Sequence, residues 1–294
     1  MLYDIKLRIG YNYDVPASGA RHMVRVMPLS IPDRQRLIAG AVSFSPQADE
    51  RADMKDYFGN AATSVYFRAA HAHSEVNLQA RVQVDAQPQP LGLSSELKAI
   101  AGELAAVRTL SPDSPHHFIG FSPKLKDIPT IANYARDFEE AGPDVASVAA
   151  AICADIYKRF KYDPSATGVD TPAAEAFELK AGVCQDFAHI MISALRSLGI
   201  PAGYVSGYLR TIPPAGQERL EGADAMHAWV RVWGGRNAGW MEYDPTNNIP
   251  AGQDHIVVAY GRDYSDVAPI IGNLRSYGGQ NNFQSVDVIP IDLK

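Results

Sequence analysis

Apolar and polar residues alternate from the start of the chain: Tyr3, Ile5, Leu7 and Ile9 interleave with Asp4, Lys6, Arg8 and Gly10. A period of two predicts a strand with one buried face. Val76, Leu78, Ala80, Val82 and Val84 repeat the pattern. Between them, the Tyr57-Phe-Gly-Asn60 stretch supplies a turn ahead of Ser64 to Arg68, so a hairpin is expected there. Residues 1–85 therefore read as an antiparallel β-sandwich domain without a cluster of reactive side chains. From Ala86 to Pro90 the chain turns to Gln and Pro, which marks a linker, and residues 86–128 are expected to form a connecting segment.

The period then changes. Pro129 opens a helical stretch reaching Glu140, and Asp144 can cap a helix whose Val145, Val148, Ile152 and Ile156 share a face. Thr171-Pro172 starts another short helix. Phe187, Ile190, Met191, Ala194, Leu195 and Leu198 fall at helical spacing, with Gly199 and Pro201 ending the run. Strands return from Met226 to Trp233 and from Trp240 to Asp244, joined by a glycine-rich turn. Ile256–Ala259 and Ser285–Ile289 are expected to extend the same sheet. The order predicts an α+β fold with a helix-and-sheet core over residues 129–294.

Chemistry gathers in that core. Cys184 opens its helix, where unpaired backbone N–H groups and the positive end of the helix dipole favour a thiolate and offer donors to an oxyanion. If Trp233 pairs with Trp240, His227 lies diagonal to Asp244 on one face of the sheet. A carboxylate on one imidazole nitrogen and a thiol on the other is the arrangement nucleophilic catalysis requires. Gln185, next to the thiol, and Trp229, nearest to His227 and Asp244, are candidates for the substrate cleft. Trp233 and Trp240 would share the His227 face. Cys153 lies beside the apolar face of its helix and reads as core. His189, about 140° around the helix from Cys184, cannot share its face and reads as structural. Asp186 reads as a favourable charge in the first helical turn. Tyr204, Ser206 and Tyr208 read as structural hydroxyls.

The segments Gly182-Val-Cys184-Gln-Asp-Phe-Ala-His189, Gly199-Ile-Pro-Ala-Gly-Tyr-Val-Ser-Gly-Tyr208, His227-Ala-Trp229 and Asp244-Pro-Thr-Asn247 resemble the bacterial branch of the transglutaminase-like superfamily. The first 85 residues resemble that branch's amino-terminal β-domain, and Val258 to Val267 its closing segment. The resemblance implies a papain-like core with Cys184 as nucleophile, His227 as base and acid, and Asp244 as orienting carboxylate. The expected reaction is acyl transfer on amide or peptide bonds through a thioester, hydrolytic rather than crosslinking. The alternatives are a glutamine-crosslinking enzyme and a catalytically silent peptide-binding scaffold.

Composition narrows the partners. The 294 residues carry a net charge of −6 without a basic block, which argues against nucleic acid. No apolar run is long enough to span a bilayer. Two cysteines make no disulfide framework, so a reducing, cytoplasmic setting is expected. His71 with His73, and His116 with His117, lack further ligands at metal spacing. The expectation is a peptide or protein substrate, with no metal or other cofactor.

Overall fold

The computed structural model describes residues 1–87, 94–211, 222 and 224–291. Its elements in chain order begin with strands β1 (Leu2–Val24), β2 (Gln35–Ser45), β3 (Glu50–Lys55), β4 (Ala61–Phe67) and β5 (His71–Val84). Helices α1 (Ile100–Ala106), α2 (Pro129–Arg136) and α3 (Val145–Arg159) follow. Then come β6 (Lys161–Tyr162), α4 (Ala173–Leu179), β7 (Ala181–Gly182), α5 (Cys184–Ser197), β8 (Ala202–Leu209), β9 (Ala225–Trp233), β10 (Trp240–Asp244), β11 (Ile249–Pro250) and β12 (His255–Gly261). The chain closes with α6 (Tyr264–Val267), β13 (Ile270–Arg275) and β14 (Gln280–Ile291).

The first strands form a curled antiparallel sheet in the order β2-β5-β1-β4-β3, with β13 and β14 also on β1. Strand β1 belongs to both halves of the curl. Its residues 2–13 lie between β5 and β14, and its residues 20–24 between β4 and β13. The halves face each other over a shared apolar interior, where Phe44 of β2 meets Phe67 of β4 edge to face at 6.4 Å. The hairpin expected around residues 57–60 is β3–β4.

One strand assignment is corrected. Ser285–Ile289 does not extend the core sheet; β14 pairs with β1 from Leu2↔Ile291 to Tyr13↔Gln280. Alternation reports that a strand has one buried face, and says nothing of which sheet supplies its neighbour. The chain therefore ends on the sheet it began. The connecting segment is also more than a linker: Ile100, Phe118 and Leu125 are buried. Residues 88–90 of the expected Gln/Pro turn lie outside the described residues.

The second sheet, in the order β11-β10-β9-β8-β12, carries α5 on one side. Asp144 caps α3 by accepting the Ser147 N–H at 2.9 Å. Helix α2 stops at Arg136, short of the expected Glu140. Beyond it the bonds become i→i+3, as in Phe138 N–H to Ala135 O at 3.0 Å, which tightens the chain out of the α-helix. Helix α5 ends at Gly199, whose φ of 76° permits the Ile200 N–H to reach the Leu195 carbonyl at 3.0 Å.

The curled sheet covers the open edge of β12 with side-chain amides. Gln35 accepts from Val257 N and donates to Val257 O, both at 2.8 Å, and Asn60 does the same for Tyr260. Two amides thus stand in for a neighbouring strand, with the Leu29 N–H also donating to the Val257 carbonyl at 3.0 Å.

Candidate active site

Cys184 is half-buried as the first residue of α5. Its position is set by the turn before it. Asp186 accepts the Val183 N–H at 2.9 Å and the Thr167 hydroxyl at 2.6 Å, so the charge expected in the first turn is a buried helix cap. Gly182 is required by that cap, since a Cβ there would lie 2.5 Å from Asp186 Oδ2. Short parallel pairing of β6 with β7 brings Tyr162 alongside the same turn.

The expected register holds. Trp240 pairs with Trp233, Glu242 with Arg231 and Tyr243 with Val230, and His227 Nε2 lies 2.8 Å from Asp244 Oδ2. His227 is only 8% exposed and Asp244 is fully buried. With Nε2 committed to the carboxylate, Nδ1 is the nitrogen left for the Cys184 thiol, whose proximity favours the charged imidazole. Burial disfavours the charged imidazole, but the bond to Asp244 and the proximity of Asp244 and Cys184 outweigh it, raising His227 to about 10. Burial would likewise raise Asp244. Bonds from His227, His255 and Asn247, with the charge on His227, instead hold it well below the usual carboxylate range. The pair is thus imidazolium and carboxylate at neutral pH, poised to deliver a proton.

Asp244 is the hub of the site. Oδ2 accepts from Asn247 Nδ2 at 2.6 Å and His255 Nε2 at 3.1 Å as well as from His227, while Oδ1 accepts the N–H groups of Thr246 at 2.9 Å and Asn247 at 3.2 Å. Cys153 lies beneath it with Sγ 3.5 Å from the Asp244 carbonyl, and burial pushes its thiol up to about 12. It is core, as expected.

The cleft candidates are placed differently. Trp229 is completely buried, its ring 6.2 Å from that of His227 at an interplanar angle of 28°, and its N–H donates to Glu242 at 2.6 Å. It supports the imidazole from within and does not wall an open cleft, because both faces of β9 are covered. Gln185 is buried too, donating to the Val169 carbonyl at 2.9 Å. Trp240 packs edge-on to Phe118 at 5.2 Å and, with Phe118 and Tyr260, encloses the Arg231 guanidinium. Exposed apolar surface near the thiol comes from residues without a sequence signal: Tyr162, 54% exposed, and Val169, 57% exposed. Burial raises the phenols of Tyr162 and Tyr264, and the nearby Cys184 adds to it.

His189 is buried and accepts the Tyr264 N–H at 3.2 Å at the start of α6, a structural role. Tyr208 donates to the Val26 carbonyl at 2.6 Å. His71, His73, His116 and His117 bind Ala69 O, Asn12 Oδ1, Val107 O and the Tyr57 hydroxyl respectively. The described side chains spaced for an ion are His227, Asp244 and His255, with ligand atoms within 4.8 Å of one another. There the Asp244 carboxylate already joins both rings through hydrogen bonds. Sequence reasoning passed over His255. Its one signal was a polar residue at the head of the apolar Ile256–Ala259 run. The loop over residues 210–225, between β8 and β9, falls largely outside the described residues.

Known proteins resemble the chain in both of its regions. Residues 3–84 match the bacterial transglutaminase-like N-terminal region, and residues 132–245 match the transglutaminase-like superfamily core. An uncharacterized protein of Mycobacterium tuberculosis is 34% identical over 274 residues, 88% of this chain and 83% of its own. Another, of Mycobacterium leprae, is 34% identical over 90% of this chain and 89% of its own. A protein-glutamine gamma-glutamyltransferase of Pseudomonas aeruginosa is 35% identical over 107 residues, 34% of this chain and 16% of that protein. A crystal structure from Cytophaga hutchinsonii, described as a candidate cysteine protease, superposes with a TM-score of 0.75 at 21% identity. It covers 100% of this chain and 92% of that one, and so shares the fold. Since both matched regions and the full-length relatives run through the curled sheet and the Cys-His-Asp core alike, the chain belongs to the transglutaminase-like superfamily, with its bacterial N-terminal region.

Proposed function

We propose that this protein is a cysteine-dependent acyl transferase acting on amide or peptide bonds, and that water is its usual acceptor. The observation that carries the reading is the buried His227–Asp244 contact of 2.8 Å, with Cys184 at the start of α5 close enough to favour the charged imidazole. The Cys184 sulfur attacks the carbonyl carbon, forming a C–S bond and an oxyanion. The Cys184 backbone N–H, among those left without an intrahelical acceptor at the start of α5, is placed to meet that oxyanion. His227 gives its proton to the leaving nitrogen as the C–N bond breaks, leaving a thioester. Water then attacks, its proton passes to His227, and the C–S bond breaks to restore the sulfur.

An amine could replace water in the second half, as the name of the P. aeruginosa relative indicates for that protein. Hydrolysis asks less of the site, because water needs no binding surface of its own. The exposed Tyr162 and Val169 beside the thiol favour a peptide substrate with an apolar side chain near the scissile bond. Incubation with a peptide and glutamine-amide library, with and without a labelled primary amine, tests the reading by mass spectrometry. The expected result is cleaved or deamidated product that is lost in Cys184→Ala. Product carrying mainly the amine would establish crosslinking, and no Cys184-dependent product in any arm would favour a binding scaffold.

A further inference from the structure

His255 is buried at the head of β12, and its two ring nitrogens have different partners. The Gly252 N–H donates to Nδ1 at 3.2 Å. A backbone N–H can only donate, so Nδ1 is bare and the ring proton sits on Nε2. That proton faces Asp244 Oδ2 at 3.1 Å, the same oxygen that His227 Nε2 approaches at 2.8 Å. The two imidazoles are 6.2 Å apart at 50°, and Trp229 fixes both: it is 5.1 Å from His255 edge to face and nearly parallel to His227. The indole N–H is itself held by Glu242.

We propose that His255 is a positioning residue of the acyl-transfer site, a proton-locked imidazole that holds the Asp244 carboxylate where His227 needs it. The proposal rests on reading Cys184, His227 and Asp244 as nucleophile, base and carboxylate. Backbone N–H groups anchor Oδ1, so the oxygen that faces His227 depends on side chains for its placement. Asn247 Nδ2 and His255 Nε2 supply this. The groups facing this network are Glu242 through Trp229, Cys153 through the Asp244 carbonyl, and Cys184 through His227. None of them donates to Asp244 Oδ2 in place of His255.

Two substitutions separate this role from packing. His255→Phe keeps a ring of similar size and removes both polar partners, whereas His255→Gln keeps a donor and an acceptor. The probes are iodoacetamide, with Cys184 and Cys153 followed by peptide mass at mildly acidic pH, and ring-nitrogen NMR of His227. Wild type and His255→Gln should alkylate at Cys184 within about 3-fold of each other, while His255→Phe slows by about 10-fold or more. The His227 midpoint should fall in His255→Phe alone, from about 10. Unchanged alkylation and an unchanged His227 midpoint in folded His255→Phe would overturn the proposal. Should that variant not fold, the wild-type spectrum decides: His255 protonated on Nε2 supports the role, and protonation on Nδ1 refutes it. Wild-type Cys184 no more reactive than Cys153 would instead bring down the nucleophile reading itself.

Discussion

Strand β10 carries two buried carboxylates on one face, Glu242 and Asp244, and their surroundings are built in opposite ways. Asp244 draws its side-chain and backbone donors from within about twenty residues of chain on one sheet: His227, Thr246, Asn247 and His255. Glu242 is held across the molecule by Arg34 of the curled sheet in a bidentate ion pair, with Trp229 and the Tyr260 hydroxyl as further donors. Burial alone would raise the Glu242 carboxyl; the Arg34 guanidinium and these bonds bring it below its ordinary range. In the proposed function the first carboxylate serves the chemistry, and the second ties the N-terminal region to the indole packed against His227. The contrast teaches that the curled sheet is joined to the site by a charged pair as well as by apolar packing.

Breaking Asp244 should have the largest effect on turnover. Asp244→Asn is expected to lower kcat/KM by about 10^4-fold, close to 5.5 kcal/mol in activation free energy, with a smaller change in stability. Glu242→Gln should show the reverse balance. Leaving Arg34 half-buried without its partner is expected to destabilise the fold by about 3–5 kcal/mol in urea denaturation, and Cys184 alkylation should slow by less than about 10-fold. Removing both partners in Arg34→Met/Glu242→Gln should restore part of that stability; strict additivity would contradict a coupled pair.

The pH dependence sharpens the comparison with a group outside either network. Burial, only partly offset by the charge of Asp263, pushes His189 down to about 4. Its contribution to stability is complete above the ordinary imidazole value of about 6.5 and is lost as pH falls towards 4, an effect of about 3 kcal/mol. His227 works in the other direction: its contribution is whole below about 6.5 and is lost as pH rises through about 10. Urea midpoints should therefore fall on both sides of a maximum near pH 6.5, the ordinary imidazole value. His189→Gln should flatten the acid limb and leave the alkaline one. The smallest effect is expected at Gly182→Ala, where displacement of the Asp186 cap should cost about 1 kcal/mol by the same assay.

The candidate constellation was legible because its signals are local. A glycine before Cys184, the six-residue turn between Trp233 and Trp240, and strict alternation in β9 fix a thiol, an imidazole and a carboxylate without long-range information. The register argument succeeded because one pairing determines the rest of a hairpin. What the sequence concealed depends on contacts between distant segments. Trp229 reads as a cleft wall only if one face of β9 is open; α5 closes one face, and Leu29 and Ile31 from the segment between β1 and β2 pack on the Trp229 cluster at the other. The partner of β14 is at the opposite end of the chain, and alternation names no partner. Arg34 and Glu242 are 208 residues apart, so neither announces the other. Tyr162 reaches the site through a two-residue parallel pairing too short to leave a pattern.

The central claim is that Cys184 and His227 act as one unit on Asp244. The most direct test is the rate of iodoacetamide alkylation of Cys184 at mildly acidic pH in wild type and in His227→Ala, with Cys153 as internal reference. The account expects Cys184 alkylation to slow by about 10-fold or more in His227→Ala, while the buried Cys153 reacts slowly and equally in both proteins. Equal Cys184 rates in the two proteins would contradict it.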